Sequence, residues 1–295
     1  MRLKSYLRLA RPKQWVKQVL VLAPLLALGS SFSLQHFFNV CCAAIAFSLA
    51  ASTTYFFNDF FDIEKDRLNP AKMNRPLASG DVDSKVVLPM AFLLALTSIS
   101  ISLLLPYNSK FIALIIISYL CLNYIYSIFE LKRIGTLGMF IVAIGFPLRF
   151  CVGVLSVNLE VSWWALVMIT QLALFMLAGK RFQNHKRQVE NYSSKSNVNN
   201  DHWLLILIIY GALFLTTYLS FIAKPEISEK WTETALILST IPVGLGMVRF
   251  LELTTNSKYF SDEDVTESML KDTILIAYAT ICVVLYSVGR FYSAS

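Results

Sequence analysis

The sequence predicts an all-α, polytopic membrane protein of nine transmembrane helices, and three observations carry that prediction. Of 295 residues, 56% are hydrophobic and only 15% charged, with a mean hydropathy of +0.58; soluble domains run near one quarter charged. Apolar stretches close to the roughly 20 residues that cross a hydrocarbon core as a helix recur nine times. The loops between them alternate in charge. With nine crossings, one face receives 21 of the 26 Lys and Arg residues, the other receives Lys110, Lys224, Lys230 and Arg290, and Arg149 lies inside a span. Basic loops stay cytoplasmic. The N-terminus is therefore expected in the cytoplasm and the C-terminus outside the plasma (bacterial inner) membrane. No soluble module interrupts the pattern, so residues 1–295 read as a single transmembrane domain.

The first span, 18–34, is short and contains Pro24 and Gly29, so an irregular helix is expected there. Its basic approach and its depth in the chain do not suit a cleavable leader, and the chain is read as uncleaved. The second span, 37–60, stays uncharged until Asp59. A charged loop leads to the third and fourth spans, 86–106 and 109–130, with Tyr126 and Lys132 at the end of the fourth. The fifth, 135–157, holds Arg149 beside Gly145 and Pro147; a base inside a span is costly enough to be read as functional. The sixth, 160–180, runs into the longest polar tract, 180–202, whose Asn- and Ser-rich second half reads as a loop. Spans 202–222, 233–252 and 271–292 complete the set, and the acidic stretch SDEDVTESMLKD before the last reads as solvated loop.

The net charge of +7 lines one membrane face, where it suits anionic lipids or anionic substrates rather than nucleic acid. Cys41, Cys42, Cys121, Cys151 and Cys282 sit in spans without metal-ligand spacing and read as small hydrophobes. The three His residues are scattered and carry no metal role.

The strongest chemical signal is FFNDFFDIEKDRLNPAKMNRPLASG, residues 56–80. Asp59, Asp62 and Asp66 are spaced +3 and +4, so a helix presents all three on one face, with Asn58 at its edge. Carboxylates stacked within two turns at a membrane boundary repel one another and need a counter-cation. Carboxylate and amide oxygens are hard ligands that suit Mg2+, an ion that usually shares its shell with substrate phosphate. Arg67, Lys72 and Arg75 follow, and Arg forks grip phosphate oxygens in bidentate fashion. A diphosphate bridged to carboxylates by Mg2+ and clamped by bases is a workable site.

This stretch resembles the first aspartate-rich motif of the UbiA superfamily of intramembrane prenyltransferases. The likeness is strongest to the branch of decaprenyl-phosphate phosphoribosyltransferases, whose members carry segments similar to RLARPKQWVKQVLVLAPLL, YSIFELKRI, GFPLRFCVGV and LFMLAGKR here. The resemblance implies nine helices around a cytoplasm-facing cavity. It also implies diphosphate contacts from Tyr126 and Lys132, and a binding role for Lys13, Gln14 and Lys17. The chain departs from the branch at Asn69, Met73 and Gly138, where His, Arg and Asp are usual.

Relatives that prenylate aromatic rings carry a second acidic motif near the sixth and seventh spans. Here the matching region, MLAGKRFQNHKRQVE, has no Asp and is rich in bases, Lys180 and Arg181 foremost. One acid cluster facing a basic cluster suits a single Mg2+-diphosphate plus a second anion, either a lipid phosphate or a ribose 5-phosphate. The expected reaction is transfer of a 5-phosphoribosyl group from phosphoribosyl diphosphate to a polyprenyl phosphate. Prenylation of an aromatic ring, or cation transport along the acids, are the alternatives.

Overall fold

A run of small and apolar side chains from Leu34 to Phe61 folds into one 28-residue helix, α4, that organises the first half of the molecule. The structure, a computed structural model, describes residues 2–70, 72–129, 131, 134–191, 201–224, 227, 232–256 and 269–292. Among them all regular structure is helical: α1 (Arg2–Ala10), α2 (Val19–Leu22), α3 (Leu25–Leu28), α4, α5 (Ile63–Arg67), α6 (Ser84–Leu103), α7 (Ser109–Ile128), α8 (Gly135–Ser156), α9 (Trp163–Asn191), α10 (Asp201–Ile222), α11 (Glu233–Thr255) and α12 (Thr273–Tyr292), with short 3-10 turns at Pro12–Gln18 and Gly29–Ser31. Eight of these are long and apolar enough to cross a membrane.

The expected span at 18–34 is instead a string of short turns. Pro24 follows the C-cap of α2, and its missing N–H and bulky ring prevent the ladder from continuing. Gly29 then takes φ 51°, a left-handed conformation that glycine adopts without steric cost, and Phe32 is extended. The sixth expected span also differs: α9 continues past 180 through the basic first half of the polar tract and ends at Asn191, where the half read as a loop begins. A helix can leave hydrocarbon without ending, because polar side chains on a helix are solvated as readily as those on a loop.

The chain divides into two compact units, Met1–Leu25 with Ser33–Val161 and Leu26–Phe32 with Ser162–Ser295. In the first, α4 lies against α6, α7 and α8. Its CCAAIAFSLAAST stretch buries Ala43, Ala46, Ala50 and Ala51, and small side chains let helix backbones approach closely. Ser98 of α6 donates to the Ala46 carbonyl at 2.6 Å. Helix starts follow local chemistry: Ser33 accepts from the His36 amide and Asp83 from the Lys85 amide, the usual N-cap contacts. Gly153 of α8 meets α2 so closely that a Cβ there would stand 2.1 Å from the Val21 carbonyl oxygen.

In the second unit α9 pairs with α10 and α11 with α12. Tyr218, Ser239 and Tyr286 join α10, α11 and α12 through buried hydroxyls, with contacts of 2.6 and 2.9 Å. Gln183 of α9 donates to the Leu253 and Thr254 carbonyls, covering backbone acceptors that the end of α11 leaves without helical partners.

Candidate active site

The acidic face forms where α4 gives way to α5. Asp62 leaves helical geometry at φ −98°, ψ 4°, but the hydrogen bonds run through the junction: Asp62 N–H to the Asn58 carbonyl and Asp66 N–H to the Asp62 carbonyl, at 3.0 and 2.8 Å. The +3 and +4 spacing therefore survives the bend. Asn58, Asp59, Asp62 and Asp66 line one cavity of about 280 Å³ together with Arg11, Tyr55, Lys72, Arg75 and Tyr126. Asp59 and Asp66 are each only 2% exposed.

Buried carboxylates are tolerated only when paired, and here the partners are guanidinium groups. Arg11 Nη2 is 2.6 Å from Asp59 Oδ1. Arg75 Nη1 bridges two acids, 3.2 Å from Asp59 Oδ1 and 2.7 Å from Asp66 Oδ2. Lys72 Nζ lies 3.9 Å from Asp66 Oδ1. The loop carrying Lys72 and Arg75 is held from beneath. Its Leu77 and Val82 are buried with Leu9 of α1 and with Phe56, Val87 and Ala91. Above, Arg8 donates to the Asn74 carbonyl at 3.2 Å.

Arg11 is the residue that the sequence reading missed. It takes a left-handed conformation, φ 51° and ψ 58°, which costs a non-glycine residue. That turn lays its guanidinium 4.9 Å from the centroid of the Tyr55 ring and onto Asp59. The signal available was a base directly before Pro12, a position where continuation of a helix is disfavoured. A neighbouring relay fixes the same segment: Trp15 Nε1 donates to Ser52 Oγ at 3.1 Å, and Ser52 donates to the Ala10 carbonyl at 2.9 Å.

Other expected residues lie elsewhere. Arg67 turns away from the acids, donating to Glu64 at 3.0 Å and to the Ala78 carbonyl at 3.3 Å. It lines a separate surface hollow with Tyr6 and Asp81. Arg149 is buried inside α8, bonded to the Gly145 carbonyl at 2.5 Å and to Tyr119 Oη at 3.2 Å, and enclosed by Phe47, Tyr119 and Phe146. The negative faces of those rings attract the guanidinium. Lys13, Gln14 and Lys17 sit on the 3-10 turn after Arg11 and do not line the cavity. Tyr126 does line it, and its neighbour Ser127 bonds the Asn58 amide oxygen. Asn69 is on the wall, while Met73 is half exposed off it and Gly138 is buried in α8. Lys132 lies outside the described residues. Lys180 and Arg181 project from α9 in the second unit.

Of the late acids, Asp272 is no solvated loop residue. It caps α12 through the Leu275 amide at 2.8 Å and pairs with Arg249 at 2.8 Å, and that guanidinium holds its carboxyl below the ordinary carboxylate range. Asp262, Glu263, Asp264 and Glu267 lie outside the described residues.

The cavity's donor set suits a hard divalent cation, since carboxylate and amide oxygens are the ligands Mg2+ takes. Among the described residues no three His, Cys, Asp or Glu side chains converge into a closed cage. Mg2+ needs none, because it is usually held by one or two carboxylates with substrate phosphates completing its shell.

The model of the UbiA prenyltransferase family matches residues 19–263. The chain is 37% identical over 180 residues to the decaprenyl-phosphate phosphoribosyltransferase of Mycolicibacterium smegmatis, covering 60% of this chain and 55% of that protein. The protein of the same name from Corynebacterium glutamicum is 37% identical over 174 residues, or 58% of this chain and 52% of that one. The chain thus spans about half the length of the curated relatives it matches. A solved UbiA homologue from Archaeoglobus fulgidus, bound to GPP and Mg2+, has a TM-score of 0.66 at 17% identity, covering 99% of this chain and 100% of that one. The likeness at that identity is one of fold.

Proposed function

The chain belongs to the UbiA prenyltransferase family, and on that footing we propose that it transfers a 5-phosphoribosyl group from phosphoribosyl diphosphate to a polyprenyl phosphate, releasing diphosphate. The observation that carries this reading is the cavity of buried acids ringed by Arg11, Lys72 and Arg75, in a chain 37% identical to decaprenyl-phosphate phosphoribosyltransferases.

Asn58, Asp59, Asp62 and Asp66 would hold one Mg2+, which when bound supplies positive charge to the leaving diphosphate. Arg11, Lys72 and Arg75 offer charge-assisted donors to the phosphate oxygens as ribose C1 becomes oxocarbenium-like. Tyr126 adds a hydroxyl on the same wall. The acceptor phosphate is already anionic near neutral pH, so the reaction needs no strong general base, and none of the described lining residues is His. Lys180 and Arg181 are assigned to the second anion. The flanking apolar helices limit water, which would otherwise hydrolyse the donor. The basic loops favour an active site on the cytoplasmic face.

Prenyl transfer from a prenyl diphosphate to an aromatic ring is the competing reading, favoured by the GPP-bound fold relative. The base-rich MLAGKRFQNHKRQVE region, without Asp, weighs against it. A transport function does not agree with membership of a transferase family. The test uses purified protein in detergent with Mg2+, polyprenyl phosphate and radiolabelled phosphoribosyl diphosphate, counting lipid-soluble label. Label should require Mg2+ and fall by more than about 100-fold in Asp62→Ala, beyond the loss typical of residues that only support a metal ligand. Consumption of prenyl diphosphate in a parallel assay, with no label here, would transfer the proposal to the competing reading.

A further inference from the structure

The acids of this cavity are engaged by the protein's own cations. Asp59 Oδ1 accepts from both Arg11 and Arg75, and Asp66 Oδ2 accepts from Arg75. Lys72 stands 3.9 Å from the other Asp66 oxygen. With Asp62 on the same wall, three carboxylates are matched in charge by Arg11, Lys72 and Arg75, before Lys65 is counted. A divalent cation added to this near-neutral cluster meets two obstacles. It must displace guanidinium hydrogen bonds from the oxygens it would use. It must also sit beside guanidinium groups of like charge, which disfavour it at such range. A diphosphate removes both obstacles, because it offers the guanidinium groups new acceptors and restores the charge balance. The lack of a closed cage of three ligating side chains among the described residues points the same way, since a metal binding first would find its shell half built.

Arg75 is the group best placed to exchange partners. It bridges Asp59 and Asp66. It stands on a loop whose backbone is pinned by Leu77 and Val82 in the core, so its side chain can move while its Cα stays. Its side chain is 28% exposed, whereas the two carboxylates it joins are 2% and 4% exposed.

We propose that Arg75 is an internal counter-cation of the metal site. It holds Asp59 and Asp66 together when the cavity lacks donor, and it passes to the phosphate oxygens when metal and diphosphate enter, so that the two bind as a coupled pair rather than metal first. The inference rests on the reading of this cavity as a metal-diphosphate site. Coupling of this kind is reciprocal: the metal should strengthen diphosphate binding by the same factor that diphosphate strengthens metal binding.

The experiment separates the two partners. Mn2+ binding to the purified full chain is titrated by electron paramagnetic resonance without diphosphate, in wild type, Arg75→Gln and Arg75→Lys. Binding of radiolabelled inorganic diphosphate is measured by equilibrium dialysis with saturating Mg2+ in the same three proteins. Arg75→Gln should bind Mn2+ alone at least about fivefold tighter than wild type, the low end of typical coupling. It should bind diphosphate about tenfold more weakly, as expected for loss of a charged hydrogen bond. Arg75→Lys keeps the charge and should stay within about twofold of wild type for Mn2+ on the same grounds, which separates competition from disturbed folding. Unchanged or weaker Mn2+ binding in Arg75→Gln, with normal metal-dependent diphosphate binding in wild type, overturns the Arg75 inference alone. A wild type that binds no diphosphate with Mg2+ overturns the metal-diphosphate reading and this inference with it.

Discussion

Arg11 shows how much of the site depends on a single backbone choice. Its left-handed turn before Pro12 is what carries a base from the N-terminal flank onto Asp59, 48 positions along the chain. Asp59 sits at 2% exposure, so removal of Arg11 leaves it with Arg75 as its remaining partner among the described residues. Arg11→Ala should therefore raise the KM for the diphosphate donor about tenfold or more, the worth of one charged hydrogen bond, and lower thermal stability as well. Steady-state kinetics with a melting curve measure both. A rise in KM without any loss of melting temperature would mean that Arg11 meets substrate but does not support Asp59. The acids themselves were legible, because carboxylates spaced +3 and +4 at the end of an apolar run are costly there unless cations face them. Arg11 was not, because in a segment with bases at Arg2, Lys4, Arg8, Lys13 and Lys17 charge alone singles out none of them. Arg67 misled for the opposite reason. Its proximity in sequence suggested the cavity, but one step along α5 after Asp66 rotates it about 100° away.

At the scale of elements, hydropathy located the helices and said little about where they stop. The eight long helices all coincide with expected spans, and the core of each is the apolar run itself. Their ends are governed by caps, by Pro and by Gly, which is why Pro24 and Gly29 marked the broken segment correctly while the extension of α9 to Asn191 went unseen. Among the contacts of the broken segment that a sequence cannot display is the backbone of α2 against Gly153. A Cβ 2.1 Å from the Val21 carbonyl oxygen cannot be relieved by a side-chain rotation, since the obstacle is backbone. Gly153→Ala should destabilise the protein by about 1–3 kcal/mol, the usual cost of overpacking, and lower its melting temperature in detergent. The same substitution at Gly244, where a Cβ would meet nothing within 4 Å, is the matched control. Equal stability of the two variants would mean that α2 and α8 separate readily and that the contact does not hold the 3-10 turn in place.

For the whole molecule the open quantity is the parity of crossings, and the broken segment decides it. Arg11 is bonded to Asp59 near one end of α4, while the chain enters that helix at its other end, Leu34. At 1.5 Å per residue the 28-residue helix is roughly 40 Å long, so residues 12–33 must travel that distance to return to its start. A path of that length within an apolar segment matches a crossing even though no single long helix makes it. Charge agrees. If the segment did not cross, the six bases of the N-terminal flank would move to the opposite face, and the split would become 15 to 10 instead of 21 to 4. Nine crossings place the termini on opposite sides, eight on the same side. Alkaline phosphatase fused to the C-terminus of the full chain in a bacterial host should be active, because it folds only outside the cytoplasm, and green fluorescent protein at the same position should stay dark. Green fluorescent protein on the N-terminus should fluoresce, and a dark N-terminal fusion beside an active C-terminal phosphatase would place both termini outside the cytoplasm. Arg11 could not then reach Asp59 from across the membrane, and the 2.6 Å pair between them would not form.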